Sequence, residues 1–392
     1  MRLLVATTAN DGHFGPLQPF ARACQAAGHE VRVAAPASYA LRVASAGFRH
    51  EPLADAEPGV VDAVMARLPT LSFEDANSSV IRDVFATIDA QAALPALAAT
   101  VRAWRPDLVL RESAELGSLA AAEQAGVPHA QVAIGMQEII RLFADLTAGP
   151  MAELDGRAGL PDGTLSAGLA GEPMLSLIPE GLDRGGDLEY RDGIAVSRYR
   201  DDDPPPERTS PPPVPAWGDP EQPLVYVTFG SVTGSIPTFA GVFREALEAL
   251  ADQPVRVLMT VGRHTDREAL GPIPGNAHVE SWLPQAAILR SASALVGHGG
   301  FGTTMGALRA GLPQVVAPIF TSDQVVNSRH VAACGAGIAA EPGPGVVSRG
   351  CAELGRLLDG PSYAAGARAV AGEIAALPPI SAALPVLERL AG

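Results

Sequence analysis

The sequence predicts an α/β protein made of two doubly wound halves, each built on a parallel sheet. Short apolar strands alternate with helix-length segments over residues 2–199, and the same rhythm restarts after residue 222. Glycine-containing turns follow several strands directly, as in βαβ units. A proline-rich stretch separates the two series. With 392 residues, 47% of them hydrophobic, the chain is long enough for two domains with ordinary cores.

The charge of the chain excludes several classes of function. The formal net charge is −15, with no basic stripe, so nucleic acid and anionic membrane surfaces are not expected partners. No run of 18 apolar residues is present, and no membrane span is expected. Three widely spaced cysteines predict neither a disulfide framework nor a zinc site. We therefore expect a cytoplasmic protein.

The first half reads as a series of strands and helices in βαβ order. Strands are predicted at residues 2–8, 29–36, 48–53, 105–113, 127–135 and 173–179, with helices at 17–28, 38–47, 88–104 and 114–126. The turn at residues 9–16 lacks the G-x-G-x-x-G pattern and holds a histidine instead. Residues 55–87 are irregular with helical patches, and residues 137–171 show no clean period.

Residues 200–217 form the predicted domain boundary. This stretch holds seven prolines and no apolar periodicity, which is typical of a semi-rigid linker. Its three consecutive aspartates, Asp201 to Asp203, are interpreted as a solvated charge run and not as a metal site. We predict an N-terminal domain at residues 1–199, a C-terminal domain at 218–374, and a final helix at 375–392.

The second half repeats the α/β order. Strands are predicted at residues 223–230, 255–262, 277–280, 294–296, 314–319 and 337–340, with helices at 237–250, 303–311, 324–335, 351–360 and 362–378. Ligands of such sheets bind outside the carboxyl ends of the strands. The polar residues His13, Glu112, Ser231, His298 and Asp323 all fall at such ends. We expect the two halves to face one another across a cleft.

Residues 297–324, GHGGFGTTMGALRAGLPQVVAPIFTSDQ, predict a site for a diphosphate that carries a sugar. A strand, a glycine-rich turn and a helix start bring free amides and a helix dipole to one place. The side chains of His298, Thr303 and Thr304 add donors. Asp323 and Gln324 follow the next strand, and a carboxylate beside an amide suits sugar hydroxyls.

Other interpretations of this stretch were weighed. Gly297, Gly299 and Gly302 spell G-x-G-x-x-G, with Asp323 21 residues later, as in a dinucleotide-binding turn. The intruding histidine and the position of Asp323 beyond its strand argue against that interpretation. A plain turn without a ligand is the other alternative.

Two turns near residues 297–324 add candidate contacts. Trp282, in the motif SWLPQ, can stack on a nucleobase, although a tryptophan near a proline is more often a core residue. Ser231, in TFGS, can reach the diphosphate, although a plain turn is equally compatible with the pattern.

His13 is the candidate catalytic base of the first half. It follows a strand directly, and a histidine can take a proton from a hydroxyl near neutral pH. A base of this kind needs a carboxylate on its other ring nitrogen. Glu112 is the first candidate for that carboxylate and Asp11 the second. The alternatives are a structural role for His13 and a helix N-terminal role for Glu112.

Three motifs and the proline-rich linker together resemble a known family. NDGHFGPLQPFARACQAAGHEV, SWLPQAAIL and HGGFGTTMGALRAGLPQVVAPIFTSDQVVNSRHV are similar to the family-1 nucleoside-diphosphate-sugar glycosyltransferases. The similarity is to the bacterial branch that decorates macrolides, enediynes and related polyketides. It implies the GT-B fold, with two facing Rossmann-like domains, and a tail that crosses back onto the first domain.

The resemblance also implies roles for particular residues. His13 resembles the general base, while Asp323 and Gln324 resemble the pair that holds the donor sugar. The implied nucleotide contacts are Ser231, Trp282, the Leu283 backbone, His298, Gly300, Gly302 and Thr303. The partner acid in the family is usually an aspartate, where this chain has Glu112.

The implied reaction is an inverting transfer that needs neither a metal nor another cofactor. The expected donor is a dTDP- or UDP-sugar, with a deoxysugar favoured, and the expected acceptor is a hydroxyl of a hydrophobic aglycone. The irregular segments at residues 55–87 and 137–171 are expected to shape the binding of this acceptor. A nucleotide-sugar 2-epimerase and a non-catalytic sugar-nucleotide binder remain alternatives. The sequence leaves open the acceptor, the sugar, O- versus C-glycosylation, and whether the chain is a monomer or a homodimer.

Overall fold

The computed structural model describes residues 1–184, 196–201, 216–230, 233–235, 239, 241–263, 265 and 267–392. Ser231, Asp202, Asp203 and most of the proline-rich stretch lie outside the described residues. Two compact units are present. The first unit holds Met1–Leu177, residues 196–201 and Leu377–Gly392, and the second holds residues 178–184 and residues 216–376.

The first unit is an α/β unit around one parallel sheet. Its elements are β1 (Arg2–Ala6), α1 (Asp11–Ala26), β2 (Glu30–Pro36), α2 (Ala40–Ser45), β3 (Arg49–Leu53), α3 (Pro58–Met65), α4 (Phe73–Ser79), a π-helix (Val80–Asp89), α5 (Ala90–Trp104), β4 (Leu108–Glu112), α6 (Gly117–Ala125), β5 (His129–Val132), α7 (Gln137–Ala158), α8 (Thr164–Gly171), β6 (Met174–Ser176) and β7 (Val196–Arg198). The last helix, α17 (Leu384–Ala391), also belongs to this unit.

The first sheet has seven strands in the order β3-β2-β1-β4-β5-β6-β7. All of its pairings among the described residues are parallel, and Ala6 lies opposite Arg111 in the β1–β4 pair. The strand order reverses between β1 and β4, because the chain crosses to β2 on one side and to β5 on the other. A sheet of this kind opens a crevice at the carboxyl ends of the two central strands. His13 follows β1, and Glu112 ends β4.

The second unit repeats this plan. It begins with the short α9 (Glu180–Asp183) and continues with β8 (Leu224–Thr228), α10 (Val242–Leu250), β9 (Arg256–Thr260), β10 (Ala277–Glu280), α11 (Gln285–Leu289), β11 (Ala294–Gly297), α12 (Phe301–Arg309), β12 (Gln314–Val316), α13 (Ser322–Ala333), β13 (Gly337–Ala339), α14 (Val346–Ala352), α15 (Leu354–Asp359) and α16 (Pro361–Ala376). Its six-stranded sheet has the order β10-β9-β8-β11-β12-β13. The reversal falls between β8 and β11, so His298 directly follows the switch-point strand β11.

Buried apolar strands explain why both sheets form. Leu3, Leu4 and Val5 of β1 are fully buried, and so are Val225 and Val227 of β8. Strands of a parallel sheet are covered on both faces by helices, so they are apolar along their whole length and do not alternate. The sequence therefore reveals these strands as continuous apolar runs.

The structure corrects two segments that the sequence left irregular. Residues 55–87 form α3, α4 and most of the π-helix, and the helical stretch then runs on into α5. Residues 137–171 form α7 and α8. The pattern of α7 is hard to recognise because Pro150 lies inside it and several apolar side chains, such as Phe143, are only partly buried. These helices pack against other helices at more than one face, which blurs a single apolar stripe.

The stretch Phe73–Trp104 is the one helical stretch of the described residues whose length and hydropathy would suit a membrane span. Core helices of globular domains pass the same test, and 39% of the most apolar window is buried. Leu97 and Val101 of this stretch lie in the hydrophobic core of the first unit.

Residues 178–184 correct the predicted domain boundary. They were placed in the N-terminal domain, but α9 belongs to the second unit. The His330 Nδ1 of α13 lies 2.8 Å from the Leu182 carbonyl oxygen, and Leu182 is fully buried. The final helix, in contrast, belongs to the first unit, where Ile380, Ala383 and Leu387 join the core beside β1.

Candidate active site

The first half of the candidate site is a histidine–glutamate pair at the switch point of the first sheet. The sequence predicted a turn at residues 9–16, but α1 already begins at Asp11, because the Asn10 side chain caps the helix by accepting from the Gly12 N–H at 2.8 Å. His13 thus lies in the first helical turn. Its Nδ1 is 3.1 Å from Glu112 Oε1 and 2.9 Å from Thr8 Oγ1.

The surroundings of Glu112 fix its charge and the tautomer of His13. Glu112 is fully buried, which by itself would raise its pKa, but His13 and the N–H groups of Ala114 and Thr8 together lower the pKa. These amides donate at 2.6 Å and 3.2 Å. An ionised carboxylate can only accept hydrogen bonds, so the histidine proton sits on Nδ1. Nε2 of the neutral ring is then the basic nitrogen.

Asp11 takes no part in this pair. Its carboxylate accepts from the Arg42 Nε at 2.7 Å and from the Tyr39 hydroxyl, at the exposed surface of α1. The structure therefore places Glu112, and not Asp11, against the His13 ring. Thr8 also contacts His13, although the sequence analysis gave it no role. Its position at the end of the predicted strand at residues 2–8 was the one sequence feature that could have indicated this contact.

One aromatic side chain lies against the His13 ring, and a second stacks on the first. The Phe85 ring, from the π-helix, lies 5.3 Å from the His13 ring, and the Phe143 ring stacks on Phe85 at 6.4 Å. Both phenylalanines come from the two segments predicted to shape the acceptor site. No pattern in the sequence placed these two residues near His13, because only the long helical stretch and α7 bring them together.

In the second unit, His298 lies between two glycines. A Cβ atom added to Gly230 would lie 2.9 Å from the His298 ring, and one added to Gly300 would lie 2.4 Å from its Nε2. Burial lowers the His298 pKa to about 4, despite a hydrogen bond to the Thr228 backbone, so the ring is neutral at pH 7. Its Nδ1 is buried and lacks a hydrogen-bond partner among the described residues.

The helix α12 begins directly after this histidine. Its N-cap is Gly300, and no side chain caps it among the described residues, so the amides of its first turn keep their hydrogen-bonding capacity. Gly299 has a φ of +88°, and a Cβ there would lie 2.8 Å from the Gln324 carbonyl oxygen. Asn327 Nδ2 donates to the Gly299 carbonyl at 2.8 Å, which fixes the turn against α13. Gly302, at the second position of α12, is exposed.

The two threonines of α12, Thr303 and Thr304, differ in their exposure to solvent. The Thr303 hydroxyl is half-buried and accepts from the Gln285 Nε2 at 3.1 Å. Because Gln285 occupies a lone pair, the hydroxyl proton remains for a ligand. Thr304, which the sequence counted among the phosphate donors, is 1% exposed and faces the core. Gln285 belongs to the SWLPQ motif but was not given a role from the sequence.

The two residues of the predicted sugar-binding pair, Asp323 and Gln324, differ in exposure and in their contacts. Asp323 lies half-exposed in the first turn of α13. Gln324 is 3% exposed, and its Oε1 accepts from the amides of Ile319 and Phe320 at 2.8 Å and 3.1 Å. The Gln324 carbonyl group is therefore engaged in holding the β12–α13 loop. Only its NH2 group can serve a sugar hydroxyl.

Trp282 lies on the surface. It is 56% exposed, between β10 and α11, with the Arg263 guanidinium 4.9 Å from its ring centre. The core interpretation of this tryptophan is thus wrong for this chain. Leu283 beside it is half-buried. Ser231 lies outside the described residues, so its proposed phosphate contact stays a prediction.

Family models match both halves of the chain. Residues 22–150 match the N-terminal domain of erythromycin biosynthesis protein CIII-like proteins, and residues 244–390 match the C-terminal domain. The chain belongs to the erythromycin biosynthesis protein CIII-like family. This CIII-like protein is a natural-product glycosyltransferase, as the resemblance of its motifs predicted. His13 and Ser231 lie outside the matched ranges, so the family match does not bear on their roles.

Individual relatives agree with the family. L-demethylnoviosyl transferase of Streptomyces niveus is 31% identical and covers 86% of the CIII-like chain and 84% of its own. TDP-daunosamine transferase DnrS of Streptomyces peucetius is 30% identical and covers 100% of this chain and 97% of its own. The named relatives of this CIII-like protein transfer sugars, so the alternatives of an epimerase and a non-catalytic binder are set aside.

A solved structure confirms the predicted fold class. Spinosyn rhamnosyltransferase SpnG, complexed with thymidine diphosphate, matches the CIII-like chain with a TM-score of 0.77 at 23% identity, over 99% of this chain and 100% of that chain. The fold of this CIII-like protein is therefore GT-B, with two α/β units on parallel sheets.

Proposed function

We propose that this glycosyltransferase moves a deoxysugar from a dTDP-sugar, with a UDP-sugar as the alternative donor, to a hydroxyl of a hydrophobic natural-product aglycone. The reaction inverts the anomeric centre and needs no metal ion. The observation that carries this proposal is the buried Glu112 carboxylate, which holds the proton of His13 on Nδ1 at the switch point of the first sheet. A neutral histidine oriented in this way is a general base.

The second unit offers a site for the donor diphosphate. The uncapped start of α12 and the Thr303 hydroxyl are donors of the kind that hold phosphate oxygens, and the buried His298 directly precedes them in the chain. The neutral His298 ring has one proton, which it donates to the Thr228 backbone, so its Nδ1 would donate to a phosphate oxygen only once the charge of a bound diphosphate favoured a second proton on the ring. Thymidine is the proposed base because a relative of 30% identity over 100% of the chain is a TDP-daunosamine transferase.

The chemical step needs one proton transfer. His13 Nε2 takes the proton of the acceptor hydroxyl while the oxygen forms a bond to the anomeric carbon of the sugar. The bond between that carbon and the phosphate oxygen breaks, and the diphosphate leaves with the electron pair. Amides at the start of α12 and the Thr303 hydroxyl stabilise the charge that develops on the leaving group. Attack from the face opposite the leaving group inverts the centre.

Binding calorimetry tests the donor site. We expect thymidine diphosphate to bind the wild type, and Thr303→Val to weaken this binding about tenfold, because one donor to a charged phosphate is lost. His13→Ala is the matched control and should keep the affinity, since His13 lies in the other unit. Equal affinity of wild type and Thr303→Val would refute the role of the Thr303 hydroxyl. Tighter binding of uridine diphosphate would select the alternative donor.

Transfer assays test the remaining parts of the proposal. We expect turnover with a dTDP-deoxysugar and a hydrophobic hydroxylated acceptor to persist in excess EDTA, and NMR of the product to show the inverted anomer. Turnover that EDTA abolishes and magnesium restores would overturn metal independence. Retention of configuration would overturn the direct displacement. Incubation with the donor alone should give no epimerised sugar.

A further inference from the structure

A small pocket in the first unit borders the histidine–glutamate pair and contains a carboxyl group with no role in the mechanism above. The pocket lies at the carboxyl end of β1, beneath the π-helix and beside the turn that follows β4. Its lining includes Thr7, Thr8, Phe85, Asp89, Ala114 and Glu115. Asp89 is the last residue of the π-helix.

The pocket touches the proposed base through three of its lining residues. The Thr8 hydroxyl is 2.9 Å from His13 Nδ1, the Ala114 amide donates to Glu112, and the Phe85 ring lies 5.3 Å from the His13 ring. Because Phe85 lines the pocket and also lies against the His13 ring, an acceptor whose hydroxyl meets His13 Nε2 lies beside Phe85 and can extend a small polar group into the pocket. Phe85, stacked on Phe143, gives that molecule a flat apolar wall.

The Asp89 carboxyl differs from the other acids at the pocket. Glu115 has both oxygens engaged by the Ser118 amide, at 3.0 Å and 3.2 Å, and Glu112 is engaged by His13. The half-buried Asp89 has neither a hydrogen bond nor an ion pair among the described residues. Burial raises its pKa to about 6, with a further contribution from the Glu112 charge, which His13 opposes. At neutral pH the group is thus mainly an unpaired carboxylate.

An unpaired carboxylate in a partly desolvated place is unfavourable unless a ligand donates to it. We propose that Asp89 is a specificity-determining residue that accepts a hydrogen bond from a second hydroxyl of the acceptor, adjacent to the hydroxyl that is glycosylated. This inference rests on the proposed function, because it assumes that the acceptor occupies the pocket beside His13. The small side chains of Ala90, Ala93 and Ala114 leave room for such a group.

The proposal predicts a preference for acceptors with two neighbouring hydroxyls. Suitable probes are alizarin, a planar tricycle with two adjacent phenol hydroxyls, and the analogue of alizarin that lacks one of these two hydroxyls. By calorimetry, we expect the wild type to bind alizarin about tenfold more tightly than the analogue, as for one hydrogen bond to a charged group. Asp89→Leu should remove this preference, and Asp89→Asn should keep part of it, because the amide oxygen still accepts. Asp62→Asn, an exposed aspartate of α3, is the matched control and should leave the preference unchanged.

Several outcomes would overturn the proposal. One such outcome is a wild type that binds neither probe or binds both equally. Another is an Asp89→Leu variant that loses affinity for both probes by the same factor, as a packing defect would cause. If Asp89→Asn instead shifted the pH profile of turnover equally for both probes, Asp89 would act through the charge of His13 and not through the acceptor. A wild type that prefers alizarin in calorimetry but transfers no sugar to any acceptor would refute the proposed function and leave the Asp89 contact standing.

Discussion

At the scale of single residues, the orientation of one imidazole ring decides the chemistry. His13 has its proton on Nδ1 because the buried Glu112 is ionised and can only accept. His13 and two backbone amides hold the pKa of Glu112 below its usual value despite its burial, so the carboxylate is ionised at neutral pH. Thr8 contributes a second contact to the same nitrogen and narrows the freedom of the ring.

The first prediction separates the two candidate acids. We expect His13→Ala to lower turnover by about 10²–10⁴, as for loss of a general base, and Glu112→Gln to lower it through loss of ring orientation. Asp11→Asn should stay within a few-fold of wild type, because Asp11 binds Tyr39 and Arg42 and not His13. Steady-state rates with a saturating donor measure all three. If Asp11→Asn were as damaging as Glu112→Gln, the pairing seen in the structure would not be the catalytic one.

At the scale of elements, the turn between β11 and α12 shows why particular glycines are needed. Gly299 combines a positive φ with backbone 2.8 Å from the place of a Cβ, and Gly300 lies against the His298 ring. Both glycines allow the chain to pass close to α13 and to the histidine. Gly302, in contrast, has open space around it and ordinary helical geometry.

The second prediction uses Gly299 and Gly302 as a matched pair. We expect Gly299→Ala to lower the free energy of unfolding by about 2–4 kcal/mol and to abolish nucleotide binding, because φ strain and a backbone clash add. Gly302→Ala should keep the free energy of unfolding, since no atom of the described residues obstructs the methyl group and the helical backbone of α12 is kept. Urea unfolding and calorimetry measure both variants. Equal stability of the two variants would contradict the close approach of α12 and α13.

The π-helix is the second element with consequences for the site. It extends α5 backwards over ten residues and brings Phe85 and Asp89 to the pocket beside His13. π-Helical turns are rare and often lie at functional sites. A regular α-helix of the same sequence would rotate Phe85, five residues before α5, away from its present direction, whereas Asp89, directly before α5, would move little. The wider turn therefore decides that Phe85 lies against His13.

At the scale of the whole molecule, a buried ionic network stabilises the first unit. Arg111 binds both oxygens of Glu172, at 3.0 Å and 2.6 Å, and both side chains are fully buried. His129 adds a contact to Glu172 at 2.8 Å and another to Glu123 at 3.1 Å. This network joins β4, β5 and the segment before β6, away from the proposed chemistry.

The third prediction concerns the dependence of stability on pH. Burial would raise the pKa of Glu172, but Arg111 and His129 together lower it below the ordinary 4.5. The ionised Glu172 therefore contributes fully to the free energy of unfolding above pH 4.5, and this contribution is lost as the pH falls through the lowered pKa. Burial would lower the pKa of His129, but the carboxylates of Glu172 and Glu123 raise it above 6.5. The protonated His129 therefore contributes fully to the free energy of unfolding below pH 6.5, and this contribution is lost as the pH rises through the raised pKa. Thermal unfolding measured across pH tests both the loss of stability at low pH through Glu172 and the loss at higher pH through His129.

A substitution tests the same network. Glu172→Gln should cost about 3–5 kcal/mol, because it leaves the Arg111 charge buried without a counter-charge. Glu353→Gln breaks an exposed pair with Arg356 and should cost less than about 1 kcal/mol. Denaturant unfolding measures both. Similar small costs for the two variants would mean that water reaches the Arg111 site.

The fourth prediction concerns the return of the chain to the first unit. Leu387 of α17 is fully buried in the core that contains Leu3, Val5 and Phe20, and His29 Nε2 meets Glu388 at 3.0 Å. We expect Leu387→Ala to lower the free energy of unfolding by about 2–5 kcal/mol through the cavity it leaves. The exposed Arg389→Ala should change it by about 0.5 kcal/mol or less. A negligible effect of Leu387→Ala would mean that α17 does not contribute to this core.

Much of the fold was predictable because its signals are local. Apolar runs predicted the buried strands, and glycines ended several helices. The glycine-rich motif after β11 predicted a phosphate site at the start of α12, since amides at a helix start bind anions in any fold. The segments at residues 55–87 and 137–171 were not predictable, because their helices are stabilised by tertiary contacts on several faces and contain a proline or a π-helical turn.

The sequence by itself determined the fold class, the family and the types of residue at the site. Those properties depend on composition, period and motif, which are written in the order of the residues. Only the tertiary structure decided that Glu112 and not Asp11 meets His13, that Thr304 and the Gln324 oxygen have structural roles, and that Asp89 lines the pocket beside the base. These facts depend on which distant strands become neighbours and how far each side chain is buried, and no local pattern encodes either.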